Sequence, residues 1–130
     1  MLAELVDVTA LQQDEEAIRR YAPQAEALAV RYDHRLYQGV IHRAWGVAHR
    51  LAGEYPQAKE RLEKSLTILE GLNTRWQAGR TCFELGNLAM AQADPTRASQ
   101  AFRQALSAFE VMKAAPDIAR AKAALSQIEM

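Results

Sequence analysis

GEYPQAKERLEKSL occupies residues 53–66, and forty residues further on ADPTRASQAFRQAL occupies residues 93–106. Each opens on a turn followed by a proline, then places apolar residues three and four apart among charges. That is the pattern of an amphipathic helix with its start marked. The same offset puts Gly39 over Gly79, Gly46 over Gly86, Ala58 over Ala98, Leu62 over Phe102, Ser65 over Ala105 and Leu66 over Leu106 without a gap. The glycine pairs weigh most, because a glycine inside a helix costs about 1 kcal/mol relative to alanine.

Run backwards, the offset sets Ala25, Leu28 and Ala29 under Ser65, Ile68 and Leu69; run forwards, it sets Ala119 and Leu125 over Gly79 and Leu85. The periodicity predicts an all-α chain of seven helices near 2–13, 15–32, 36–52, 55–72, 75–92, 95–113 and 116–128. These form one repeat domain over 1–130, with a degraded unit at 2–35, units at 36–74 and 75–114, and a final helix at 116–128. Asp94-Pro95 is the clearest start, an N-cap acceptor before a residue whose missing N–H is harmless in the first turn. Tyr55-Pro56 and Ala115-Pro116 read the same way, with Asp14 and Asp33 as further caps. Pro23 falls inside the second helix and predicts a kink there or a restart near Ala22. No segment alternates like a strand.

In the third unit Cys82, Leu85-Gly86, Ala89, Ala98, Phe102 and Ala105, and in the second Trp45-Gly46, His49, Ala58, Leu62 and Ser65, stand at the spacing of the tetratricopeptide repeat. The chain resembles that family. Its unit of 40 residues exceeds the standard 34, which makes it similar to the long-helix subclass found in bacterial multidomain regulators. The resemblance implies an α-solenoid of antiparallel helix pairs wound as a right-handed superhelix, with the first helix of each pair lining a concave groove. It also implies that Gly46 and Gly86 let paired helices close on each other while Leu62 and Phe102 fill the gap to the next unit.

Composition narrows the function. Sixteen basic and sixteen acidic residues give no net charge, which removes the general attraction to phosphate that nucleic-acid binders show. The opening MLAELVDVTALQQDEE lacks the basic and apolar regions of a signal peptide, and the single cysteine forms no internal disulfide, so the expected compartment is the cytoplasm. No apolar run reaches the roughly 20 residues of a membrane span. There is no P-loop, GxGxxG, HExxH or GxSxG. Cys82 falls at a packing position, and His34, His42 and His49 are too far apart for metal ligands at i and i+4. The expectation is a non-enzymatic protein without cofactor or metal.

By repeat register, the groove positions expected to be exposed are Val40, Arg43, Val47 and Arg50, then Arg80, Phe83, Glu84, Asn87 and Met90, then Arg120 and Gln127. Four arginines there face Glu84, with Glu4 and Asp7 adding acid from the first helix. This suits a protein or peptide partner carrying acidic groups, held by arginines and by apolar contact with Phe83 and Met90. Some family members clamp a C-terminal carboxylate; Arg43 fits such a clamp, but Val47, Glu84 and Ala124 stand where polar partners are needed. Two other expectations are self-association through the end helices, since MLAELV has no polar cap, and a ligand-sensing arm of a larger regulator, which rests on the family alone.

Overall fold

Left-handed backbone angles recur every twenty residues, at Gln13, Asp33, Gly53, Asn73, Ala93 and Lys113, with φ from +51° to +78°. At Ala93 the N–H bonds the Met90 carbonyl at 3.0 Å and the following Asp94 N–H reaches back to Ala89 at 2.9 Å; the same two bonds close the other five turns. They satisfy carbonyls that a helix end leaves open. Only Gly53 is a glycine; the other five hold a conformation that costs roughly 1–2 kcal/mol for a residue with a Cβ.

Between these turns lie seven helices in a computed structural model that describes residues 2–129. They are α1 (Leu2–Leu11), α2 (Glu15–Arg31), α3 (Arg35–Leu51), α4 (Tyr55–Gly71), α5 (Arg75–Ala91), α6 (Pro95–Val111) and α7 (Ala115–Glu129), with no strand among the described residues. The third residue of each turn already accepts the first bond of the next helix, as Asp94 does from Ala98 at 3.0 Å. Three residues therefore end one helix and start the next, which forces an antiparallel neighbour.

Asp14 and Asp94 cap as expected, accepting from Ala17 and Arg97 at 3.1 Å. Asp33 does not cap. It takes the left-handed position, and His34 Nδ1 accepts the Tyr37 N–H at 3.3 Å instead. Pro23 neither kinks nor restarts α2, which is continuous from Glu15 to Arg31. The proline stands on the exposed side, so the lost bond leaves the buried stripe of Ile18, Ala22, Ala25 and Ala29 intact.

The array is an all-α helical repeat in which each helix packs on its chain neighbours. The paired helices close tightly because the small positions accept large partners. A Cβ built on Gly46 meets Leu62 Cδ2 at 2.5 Å, one on Gly86 meets Phe102 Cε1 at 2.5 Å, and Gly39 and Gly79 stand in the same way against Leu69 and Ala108. Leu62 also reaches the next unit, packing with Leu88 of α5 beside Ala58 of its own helix, and Phe102 packs with Leu125. In the first five helices the backbone of α3 approaches those of α1 and α5 while those of the even-numbered helices stay apart, so the odd-numbered helices form the more tightly packed, inner layer.

Two substitutions should move stability against intuition. Gly86→Ala, which elsewhere in a helix stabilises, should cost about 1–3 kcal/mol by overpacking against Phe102. Ala93→Gly should stabilise by roughly 1 kcal/mol by relieving the left-handed strain. The midpoints of urea unfolding report both.

Candidate functional site

The inner layer holds a buried ionic cluster built from three helices. Asp7 projects from α1, Arg43 from α3 and Arg80 from α5, with Gln77 one turn before Arg80. Arg80 grips the Asp7 carboxylate with both terminal nitrogens, each at 2.9 Å. Arg43 donates to the same carboxylate at 3.1 Å, to Gln77 Oε1 at 2.9 Å, to the Gln77 carbonyl at 3.0 Å and to Thr81 Oγ1 at 3.4 Å. Thr81 in turn meets Ser65 of α4 at 2.9 Å. Charge-assisted pairs of this kind are the strong ones.

Burial raises the Asp7 pKa, but the charges and hydrogen bonds of Arg43 and Arg80 outweigh it and hold the carboxyl below its ordinary range. Arg43 is brought down to about 10, first by burial and then by Arg80, with Asp7 opposing. It stays charged at neutral pH. Nearby, Arg50 lies 3.7 Å from Glu84 and also bonds Gln13, while Glu84 accepts from Asn87 at 3.1 Å.

This corrects the expected groove. Val40, Arg43, Val47, Arg80 and Glu84 were placed on an exposed face by register, yet each is buried, Val47 to 1% exposure and Arg43 to 2%. The close approach of α1, α3 and α5 leaves no room for solvent, so the guanidinium groups turn along the layer and find partners inside it. Arg50 is largely enclosed as well. The predicted residues that remain within a partner's reach gather at the other end: Met90 and Arg120 are exposed, Phe83 and Asn87 half-buried, and Gln127 exposed.

That end is open for a structural reason. The backbones of α5 and α7 do not approach as those of α1 and α3 do. Long side chains bridge them instead: Trp76 Nε1 donates to Asp117 Oδ2 at 2.8 Å, and the Arg120 guanidinium lies 5.4 Å from the centre of the Phe83 ring. Phe83 occupies in α5 the place Arg43 has in α3, one period earlier.

The remaining chemistry-bearing residues have structural partners. Burial, with the Glu70 charge adding to it, pushes the Cys82 thiol up to about 11, well away from nucleophilic thiolate chemistry. Cys82 sits on the floor of a cavity of about 490 Å³ between α4 and α6, lined by Leu66, Glu70, Gln104, Ser107 and Val111. His42 accepts from Arg61 at 3.0 Å, and burial and then the Arg61 charge lower its pKa. Arg61 also pairs with Glu26 and lies over the Trp45 ring at 5.3 Å, joining α2, α3 and α4. His49 meets Glu54 at 2.8 Å. Among the described residues no three His, Cys, Asp or Glu side chains gather to hold a metal ion, and no helix is long and apolar enough to cross a membrane.

No protein-family model matches the chain, and no curated protein matches it significantly in sequence.

Asp7→Asn should leave two buried arginines without a counter-charge and cost about 3–5 kcal/mol at neutral pH. A carboxylate whose folded pKa lies below its unfolded value stabilises fully above the unfolded value, about pH 4, and loses that contribution as pH falls through the folded one. The gap between wild type and Asp7→Asn should therefore narrow in acid, as measured by urea unfolding across a pH series.

Proposed function

We propose that the chain is a non-enzymatic protein-interaction scaffold of tetratricopeptide-like repeats, working in the cytoplasm as a regulatory arm. Its partner is a peptide or protein helix bearing acidic groups, and the docking surface is the α5–α7 end of the inner face. The observation that carries this reading is that Phe83 lies under the Arg120 guanidinium where the α5 and α7 backbones stand apart, with Met90, 42% exposed, further along α5; Arg120 also pairs with Asp117, at the rim, where a partner's carboxylate would compete for it. Apolar anchors beside a guanidinium suit an amphipathic segment with a carboxylate near its apolar stripe. Asn87 and Gln127 add amide groups for its backbone or polar side chains.

Arg43 and Arg80 contribute differently in this reading. Their donors are occupied by Asp7, Gln77 and Thr81, so they set the spacing of α1, α3 and α5 rather than meet the partner.

A panel of displayed acidic amphipathic peptides should yield binders, with Arg120→Ala and Met90→Ala each weakening the best one by roughly tenfold, equivalent to about 1.4 kcal/mol. Lys64→Ala, on the exposed face of α4, is the control and should leave affinity unchanged in fluorescence polarisation. Binding that ignores Arg120 and Met90 would remove this surface from consideration.

A further inference from the structure

The grooves between successive even-numbered helices differ. Between α2 and α4 the groove is spanned by Arg61, which pairs with Glu26 across it and meets His42 on its floor. Gln38 donates there to the Ala29 carbonyl at 3.1 Å, and Ile68 stands against Gly39. The depression left on that side runs along α4 and touches α3 only at His42.

Forty residues on, the same register positions hold Ala101 for Arg61, Leu66 for Glu26, Cys82 for His42, Ala78 for Gln38 and Ala108 for Ile68. The bridge is gone and the floor side chains are short. The result is a cleft of about 490 Å³, walled by α4 and α6 and floored by α5, inside the roughly 300–1,000 Å³ of small-molecule sites. Two lining residues are larger than their counterparts, Glu70 for Val30 and Val111 for Gly71, and both are exposed at the rim.

The cleft is apolar below and acidic above. Leu66, Ala78, Cys82 and Ala108 make the deep surface, while Glu70 stands on the α4 wall and Gln104 and Ser107 on the α6 wall. Cys82 Sγ donates weakly to Gln104 Oε1 at 3.9 Å. The Glu70 charge also reaches the floor, where burial first and then that charge push the thiol up. Arg75 lies at the turn end of the cleft, yet Glu70 has no ion-pair partner among the described residues. A carboxylate without a counter-charge beside an apolar surface attracts a cation and repels an anion.

We propose that the α4–α6 cleft binds a small organic amine, its apolar body resting on Leu66, Cys82 and Ala108 and its ammonium group paired with Glu70. An apolar floor with a few polar groups at its edge is the usual form of such a site. The cleft opens on the outer layer, whereas Phe83, Met90 and Arg120 belong to the inner one, so the two sites stand independently.

Titrating isotope-labelled protein with phenethylamine tests this, with phenethyl alcohol as the neutral counterpart and hydrocinnamate as the anionic one. The amine should bind saturably with a Kd of about 1 mM or tighter, and the amide signals of Ala78, Cys82 and Ala108 should move. The alcohol should bind about fivefold more weakly, a modest difference because Glu70 reaches solvent, and hydrocinnamate more weakly still. Glu70→Gln, at an exposed position, should lower the amine to the affinity of the alcohol. Ala78→Gln with Ala108→Ile copies Gln38 and Ile68 of the bridged groove and should abolish binding of both, with circular dichroism checking the fold. Where that filled variant loses its helical signal, the Glu70→Gln comparison decides alone. The proposal is overturned if no probe gives a saturable shift at the cleft, if the amine ignores Glu70→Gln or a folded filled variant, or if the anion binds as tightly as the amine.

Discussion

The closeness of paired helices is the constraint from which the remaining architecture follows. Gly46 and Gly86 have no Cβ because Leu62 and Phe102 stand where it would be. With that separation fixed, Leu62 and Phe102 extend past their own unit to the next, and a single large residue serves two interfaces. A helix pair by itself leaves an apolar face uncovered, so stability accumulates through such shared contacts between neighbours. The glycines cost helix propensity at each position, and the buried volume of Leu62 and Phe102 offsets that cost.

Tight pairing carries through to the inner layer. Once α1, α3 and α5 are drawn together, any long polar side chain on their facing surfaces must find a partner within the layer. Arg43 and Arg80 do so by sharing Asp7, and Gln77, Thr81 and Ser65 take up the remaining donors and acceptors. The cluster ties the short α1 to two successive units. Removing its one carboxylate would leave like charges buried side by side, which makes Asp7 the residue on which docking of α1 turns.

Most of the fold was legible because it is written as period. Helix limits fell within two residues of the observed ones, apart from the side-chain cap at residue 34, where the expected Asp33 gives way to histidine. The small and large positions were readable too, since volume is a property of the residue itself. Exposure of the groove was not. Register gives the direction of a Cβ and not the path of a six-atom side chain, and how far apart the inner helices stand depends on every contact behind them. Arg43 was assigned to solvent on register and is 2% exposed. The clue available beforehand was Asp7, the acidic residue of α1 at the same register position as Val47 and Asn87.

The stack is consequently uneven. Toward α1 the inner layer is closed by backbone contact and shared charge; toward α7 it is spanned by Trp76, Phe83 and Arg120, side chains that reach across a wider gap. Regions held by fewer backbone contacts open at lower free energy than the rest. In the proposed reading the α5–α7 end is the docking surface because Met90 reaches solvent there and the helices on either side are joined by long side chains. In that same reading the closed half is the base from which the open half is presented, and the burial of Arg43 and Arg80 that removes them from the expected groove leaves the α5–α7 end as the candidate surface.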